Sequence, residues 1–254
     1  MNDGSWPSRL GLAGGIDKDG SRAAELLGAG FDSVEFGTVA PEAAPDGHPG
    51  VRALTARLAA LAPAERARAR VGVGLGMSAD APASTLPGEW TRGLHEAWAV
   101  ADYLSFNLSA RRYRPLLNAD YAALLLRAFA GVAAERDRRT RESGRHVAIA
   151  LKVPLAGDDP FPLAVAEGAA DAGFDAVIGV LPEDAGRLGQ LGLLAGRLRG
   201  KAAVLAVGGV RAAVDVRAAL EAGASGVQVH TAFTQLGARC VAVLRGEALV
   251  QIGG

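Results

Sequence analysis

Residues able to do chemistry are few in this 254-residue sequence, and they stand at the ends of short β-rich runs. Lys18 lies in Leu12-Ala-Gly-Gly-Ile-Asp-Lys-Asp-Gly20, where closely spaced glycines let a flat ligand rest against backbone. Asp17 and Asp19 on either side are equally able to cap a following helix, with Lys18 in water. Lys152 sits inside the apolar run Ile149-Ala-Leu-Lys-Val-Pro154, where strand alternation buries it. An unpaired buried ammonium is costly, so Lys152 requires an anionic neighbour, either a carboxylate of the protein or a ligand edge that collects negative charge. Asn107 ends another run and offers both donor and acceptor to a ring carbonyl or N–H, or else ties down its own loop. Val207-Gly-Gly-Val210 lets backbone N–H groups approach a phosphate, and His230 and Thr231 add donors after the next run. A plain strand-to-helix turn is the competing reading of the glycine pair. Arg111, Arg112 and Tyr113 follow Asn107: the arginines could receive an anionic substrate or be solvated surface charge, and Tyr113 could donate a proton.

Something must bring these scattered residues together. Eight β-rich runs occur at 10–14, 33–36, 71–75, 103–107, 147–153, 176–180, 203–207 and 226–229. Helix-patterned segments, such as those at 21–29, 89–99, 121–142, 161–172, 185–198 and 213–222, alternate with them. Gly-Ala-Gly-Phe-Asp at 28–32, Ala-Gly-Phe-Asp at 172–175 and Ala-Gly-Ala-Ser-Gly at 222–226 form glycine-bearing exits from helices into strands. Eight βα repeats in this length, without a Gly-x-Gly-x-x-Gly turn after the first strand, predict an α/β fold closed as a (β/α)8 TIM barrel in a single domain over 1–254. In such a barrel the residues named above share one rim, at the carboxyl ends of the strands, and the glycine pair matches the common phosphate site after strands seven and eight.

Composition excludes other classes. Lys plus Arg and Asp plus Glu each number 27, so no net field gathers nucleic acid or an anionic membrane, and a small-molecule partner is expected. Cys240 is the lone cysteine, which rules out an internal disulfide and a cysteine-held iron–sulfur cluster, and no metal site is expected. The start Met1-Asn-Asp-Gly4 lacks the features of a secretory signal, so a cytoplasmic location is expected. The apolar stretch 121–134 contains Arg127 and is shorter than the roughly 20 residues of a membrane span.

Several segments resemble one family. Gly11-Leu-Ala-Gly-Gly-Ile-Asp-Lys-Asp-Gly20 and Gly30-Phe-Asp-Ser-Val-Glu-Phe-Gly-Thr-Val-Ala-Pro41 resemble, in order and spacing, the opening flavin-binding segments of dihydroorotate dehydrogenases. Tyr103-Leu-Ser-Phe-Asn-Leu-Ser109, Ala150-Leu-Lys-Val-Pro154, Val207-Gly-Gly-Val210 and Gly223-Ala-Ser-Gly-Val-Gln-Val-His-Thr231 resemble the later ones. The resemblance implies a flavin mononucleotide (FMN) cofactor. Ala13 and Gly14 would face it through backbone, Lys18, Thr38, Asn107 and Lys152 would contact its ring system, and Gly208, Gly209, His230 and Thr231 would hold its phosphate. Lys18 and Asn107 would also orient the substrate as catalytic residues. His230 departs from the tyrosine common in the family.

The substrate side departs further. Ala110 occupies the position of the family's Ser or Cys base, and alanine accepts no proton. An Ala- and Arg-rich stretch over 51–71 replaces the asparagine-bearing substrate loop, Gly74 replaces an asparagine, and Val180 and Leu181 replace a Thr-Asn pair. These differences lead us to expect an FMN-dependent oxidoreductase acting on a small heterocycle other than dihydroorotate, and the resemblance to divergent relatives that look associated with pterin-type coenzyme pathways makes a pterin ring one candidate. A non-catalytic FMN- or phosphate-binding barrel serving as scaffold or carrier is the alternative, and a flavin-free enzyme of phosphorylated sugars is a third. With the first strand near Leu10, the helical extension that admits quinone in membrane-linked members is not expected. Homo-oligomerisation is left open.

Overall fold

In the computed structural model, which describes residues 6, 8–43, 49–155 and 159–247, eight parallel strands close into a barrel in sequential order. They are β1 (Leu10–Leu12), β2 (Ser33–Val39), β3 (Arg70–Leu75), β4 (Tyr103–Asn107), β5 (Ala148–Pro154), β6 (Ala176–Val180), β7 (Ala203–Val207) and β8 (Gly226–Val229). β8 pairs with β1, Leu12 against Val229, which completes the cylinder. All eight anticipated runs are strands. The first stops at Leu12 rather than Gly14, and the second continues past Phe36 to Val39. The amino-terminal tetrapeptide read for a signal lies outside the described residues.

The α-helices that follow the strands are α1 (Ala23–Leu27), α2 (Val51–Ala59), α3 (Pro63–Arg66), α4 (Leu86–Ala97), α5 (Ala122–Ser143), α6 (Phe161–Asp171), α7 (Arg187–Leu198), α8 (Ala213–Glu221) and, after β8, α9 (Thr231–Leu236) and α10 (Cys240–Arg245). The Ala- and Arg-rich stretch that replaces the family's substrate loop is thus the helix pair α2 and α3. The apolar face of α2, with Val51, Leu54 and Leu58 buried, turns to the barrel, whereas α3 buries no residue.

Three aspartates fasten the lower rim. Just before β2, β4 and β6, Asp32, Asp102 and Asp175 each accept a backbone N–H from the preceding strand: from Leu10 at 2.9 Å, Val71 at 2.7 Å and Ile149 at 2.8 Å. Each also donates its own N–H to the carbonyl of the same residue. Otherwise unpaired strand ends are satisfied this way. The turns that deliver Asp32 and Asp175 contain Gly30 and Gly173 at φ +93° and +96°, a conformation side chains resist.

Two apolar layers form the core. The larger lies between strands and helices and includes Trp90, Phe106, Phe129 and Phe174 in a run of ring contacts. The smaller fills the barrel: Ala150, Ala176, Ile178, Ala203, Leu205 and Val207, with Trp6 set edge-on to Tyr103 at 5.1 Å. Gly72 provides the space that the Tyr103 ring occupies. The side of the interior formed by β2, β4, β5 and β8 is polar instead, and that polarity leads up to the mouth.

Candidate functional site

Ser33, Glu35 and Gly37 are alternate residues of β2, so the inward Ser33 places Glu35 inside the barrel as well. Glu35 is fully buried, and its Oε1 lies 3.2 Å from Lys152 Nζ. Its Oε2 accepts from Gln228 Nε2 at 3.1 Å and from the Tyr103 hydroxyl at 3.5 Å. The anionic neighbour that Lys152 requires is therefore present as a carboxylate of the protein. Burial, with the charge of Glu35 second, raises the Tyr103 pKa and keeps its phenol protonated. Sequence reasoning passed over Glu35, although its two-residue spacing from Ser33 was the available signal.

Asn107 and Lys152 are register partners on β4 and β5, both inward near the mouth. Asn107 Nδ2 donates to Thr38 Oγ1 at 2.7 Å, and Asn107 Oδ1 accepts from Ser109 N at 2.7 Å and Ser109 Oγ at 2.8 Å. Asn107 thus fixes its own loop and joins it to β2. The pairing of β2 with β3 shifts register between Gly37 and Val39, which turns Thr38 toward the rim.

Beside this group lies a cavity of about 430 Å³, lined by Gly15, Lys18, Thr38, Glu42, Ala110 and Arg112 among others. Asp17 accepts from the N–H groups of Asp19, Gly20 and Arg22, so the acid caps the loop while exposed Lys18 lines the cavity. The capping role read for the aspartate is thus seen, and Lys18 stands on the cavity wall. Gly14 is required here: a Cβ on it would stand 2.7 Å from Glu35 Oε1 and 3.1 Å from Gly37 O. Ala13 is buried, and its N–H is taken by Val229 O at 2.8 Å.

The loop after β4 divides its labour. Tyr113 is buried, and its hydroxyl accepts from Met77 N at 2.8 Å and donates to Met77 O at 3.1 Å. That ring occupies the space left by Gly76 and forms a wall of the cavity. Arg112 lies over it, 4.6 Å from the ring centre, and reaches Met77 O at 2.6 Å. Arg111 is exposed and does not line this cavity. Glu42, which sequence reasoning left aside, brings a carboxylate to the same wall and bonds Arg92 at 3.0 Å.

A second cavity, of about 530 Å³, opens at the ends of β6, β7 and β8. Gly208, Gly209, His230 and Thr231 line it, as do Arg187, Arg211, Glu183 and Asp215. Gly208 and Gly209 have φ of +108° and +68°, a conformation that side chains rarely adopt. His230 neighbours Gly15, whose Cβ would come within 3.6 Å of its Nε2, so it stands between the two cavities. Burial and then the charge of Lys152 lower the His230 pKa, which leaves the imidazole neutral at pH 7. The structure therefore gathers nearly every sequence-derived site residue around one mouth, with Arg111 outside.

No family model matches the chain. A dihydroorotate dehydrogenase (quinone) of Methylococcus capsulatus is 30% identical over 286 residues, spanning 96% of this chain and 81% of that relative. The chain belongs to the dihydroorotate dehydrogenase family. The enzyme of the same name from Akkermansia muciniphila is 27% identical over 96% of this chain. The crystal structure of DHODH from Eimeria tenella in complex with ferulenol shares the fold, with a TM-score of 0.78 at 20% identity over 94% of this chain. Membership in the dihydroorotate dehydrogenase family makes the chain oxidoreductase-like, and its barrel is the family's barrel. Among the described residues no helix is long and apolar enough to cross a membrane, and no cluster of His, Cys, Asp or Glu could hold a metal ion.

Proposed function

We propose that this barrel is an FMN-dependent oxidoreductase whose substrate is a small heterocycle other than dihydroorotate. The observation that carries the cofactor assignment is the pair of adjoining cavities at the strand ends, one beside a buried ammonium and the other floored by Gly208 and Gly209. Each has the size of a small-molecule site, in a fold whose loops at this face carry chemistry. The lining suits the group: the side-chain-free backbone of Gly208 and Gly209 faces the second cavity, and the Lys152 ammonium, held by Glu35, would lie at a ring edge. Bound there, FMN would exchange a hydride with the substrate. Lys18, Thr38, Asn107 and Lys152 would hold its ring, Ala13 and Gly14 would back it, and Gly208, Gly209, His230 and Thr231 would hold its phosphate.

Ala110 supports the substrate reading. Its methyl lines the cavity where the family resemblance expects a proton acceptor, and the Tyr113 hydroxyl is engaged by Met77. Glu42 and Arg112 remain on that wall, a carboxylate to take up a proton and a cation to receive an anionic group. A planar, polar ring of the pterin type is one candidate substrate for such a mixed wall. The same Ala110 motivates the second reading, a barrel that binds FMN and performs no chemistry.

An absorption spectrum of gently purified protein, with mass identification of what it releases, tests the assignment. Bands at about 370 and 450 nm and released FMN are expected. Protein that stays colourless in excess FMN would refute it. Bound flavin that no pterin or other reductant bleaches would favour the non-catalytic barrel.

A further inference from the structure

The second cavity contains a side chain that neither the sequence motifs nor the family resemblance assigns. Arg187, the first residue of α7, is partly buried and lies against the glycine pair: a Cβ on Gly209 would stand 2.5 Å from its Nη1 and 3.1 Å from its Cζ. The guanidinium and the side-chain-free backbone at Gly209 therefore face the same space. Arg187 Nη2 is also 3.2 Å from Asp215 Oδ1. The other oxygen of Asp215 accepts from Arg211 N at 2.9 Å and Ala212 N at 3.0 Å, so the carboxylate is fixed at the start of α8.

Charge decides what this arrangement can take. Arg187 and Arg211 bring two cations to the cavity lining, and Glu183 and Asp215 bring two anions. His230 adds none at neutral pH. A neutral or cationic ligand would leave the Arg187–Asp215 pair as it stands. A phosphate monoester is different, because a planar guanidinium binds its oxygens through paired charge-assisted bonds that a lone carboxylate partner does not exhaust.

The geometry points to Arg187 as the cationic arm of a phosphate-monoester site floored by Gly208 and Gly209, with Asp215 as a competing anion that restrains the arm. The site takes a phosphate dianion when the guanidinium, already against Gly209, gives up its Nη2 bond to Asp215. This inference rests on the reading that the second cavity receives the phosphate end of FMN, but the phosphate chemistry can be tested without a flavin. It also gives opposite signs for two neighbours: removing Arg187 weakens binding, and neutralising Asp215 strengthens it.

The experiment titrates FMN and riboflavin, which differ by the phosphate, against the full chain and the variants Arg187→Gln, Arg187→Lys and Asp215→Asn, following flavin fluorescence. Thermal shifts with inorganic phosphate are recorded in parallel. The unaltered protein is expected to prefer FMN to riboflavin by more than tenfold. Arg187→Gln should erase about tenfold of that preference at unchanged riboflavin affinity, Arg187→Lys should restore part of it, and Asp215→Asn should tighten FMN severalfold. An FMN preference untouched by Arg187→Gln, or loosened by Asp215→Asn, overturns the assignment of Arg187 while the flavin reading stands. If neither flavin binds but phosphate stabilises the protein only when Arg187 is present, Arg187 stands and the flavin reading falls. If neither flavin nor phosphate binds, both fall.

Discussion

At the scale of single residues, the mouth of this barrel rests on a buried ion pair. Lys152 and Glu35 are both nearly excluded from solvent, so each charge is tolerated because of the other. Glu35→Gln leaves the ammonium uncompensated and should cost about 3–5 kcal/mol in urea denaturation. The double change Glu35→Gln with Lys152→Met should recover much of that loss while releasing any bound flavin. A double variant as unstable as the single one would show that the pair does not act as a unit. Ala110 poses a separate question at the same scale. Ala110→Ser should not confer oxidation of dihydroorotate, measured as bleaching of bound flavin, because Gly74, Val180 and Leu181 still lack the amides of an orotate pocket. Fast bleaching in that variant would contradict the proposed change of substrate.

At the scale of elements, α4 and α5 are joined by charge as well as by packing. Glu135 of α5 accepts from Arg138 at 2.5 Å and pairs with His95 of α4 at 2.7 Å. The hydrogen bond from Arg138, followed by smaller contributions from His95 and Arg139, lowers its carboxyl from 4.5 to about 2. A carboxyl whose pKa is depressed on folding binds fewer protons in the native state than in the unfolded one. Its contribution is complete above pH 4.5 and is lost as pH falls toward 2. Glu135→Gln should therefore cost about 1 kcal/mol at pH 7 and nothing near pH 2. Urea titrations at both pH values check this, and an equal cost at the two would exclude the ion pairs as its cause.

At the scale of the whole molecule, the ring of strands couples the two cavities, since residues from β1, β2, β4, β5, β7 and β8 all reach one rim. A ligand bound across that rim engages the fold as a unit. FMN at about 100 times its dissociation constant should add about 2.7 kcal/mol to the unfolding free energy, seen as a concentration-dependent rise in melting temperature. Riboflavin should add less at the same concentration, because it lacks the phosphate for the second cavity. Equal shifts from the two would remove the phosphate from the description of that cavity.

Local sequence was enough to set the order of strands, the glycine exits from helices and the closure of the barrel. Period-two alternation and glycine conformation act over a few residues, and eight successive βα units leave little freedom in how they close. The same locality made Lys18, Asn107, Lys152 and the Gly208–Gly209 turn visible as site candidates. Partnership was not visible. That Lys152 meets Glu35, that Asn107 is bound to Thr38 and its own loop, that Met77 holds the Tyr113 hydroxyl and that Arg187 lies over Gly209 all depend on residues remote in sequence becoming neighbours. Such contacts are set by the curvature of the closed sheet and by which side chains share its interior, and no run of neighbouring residues encodes either.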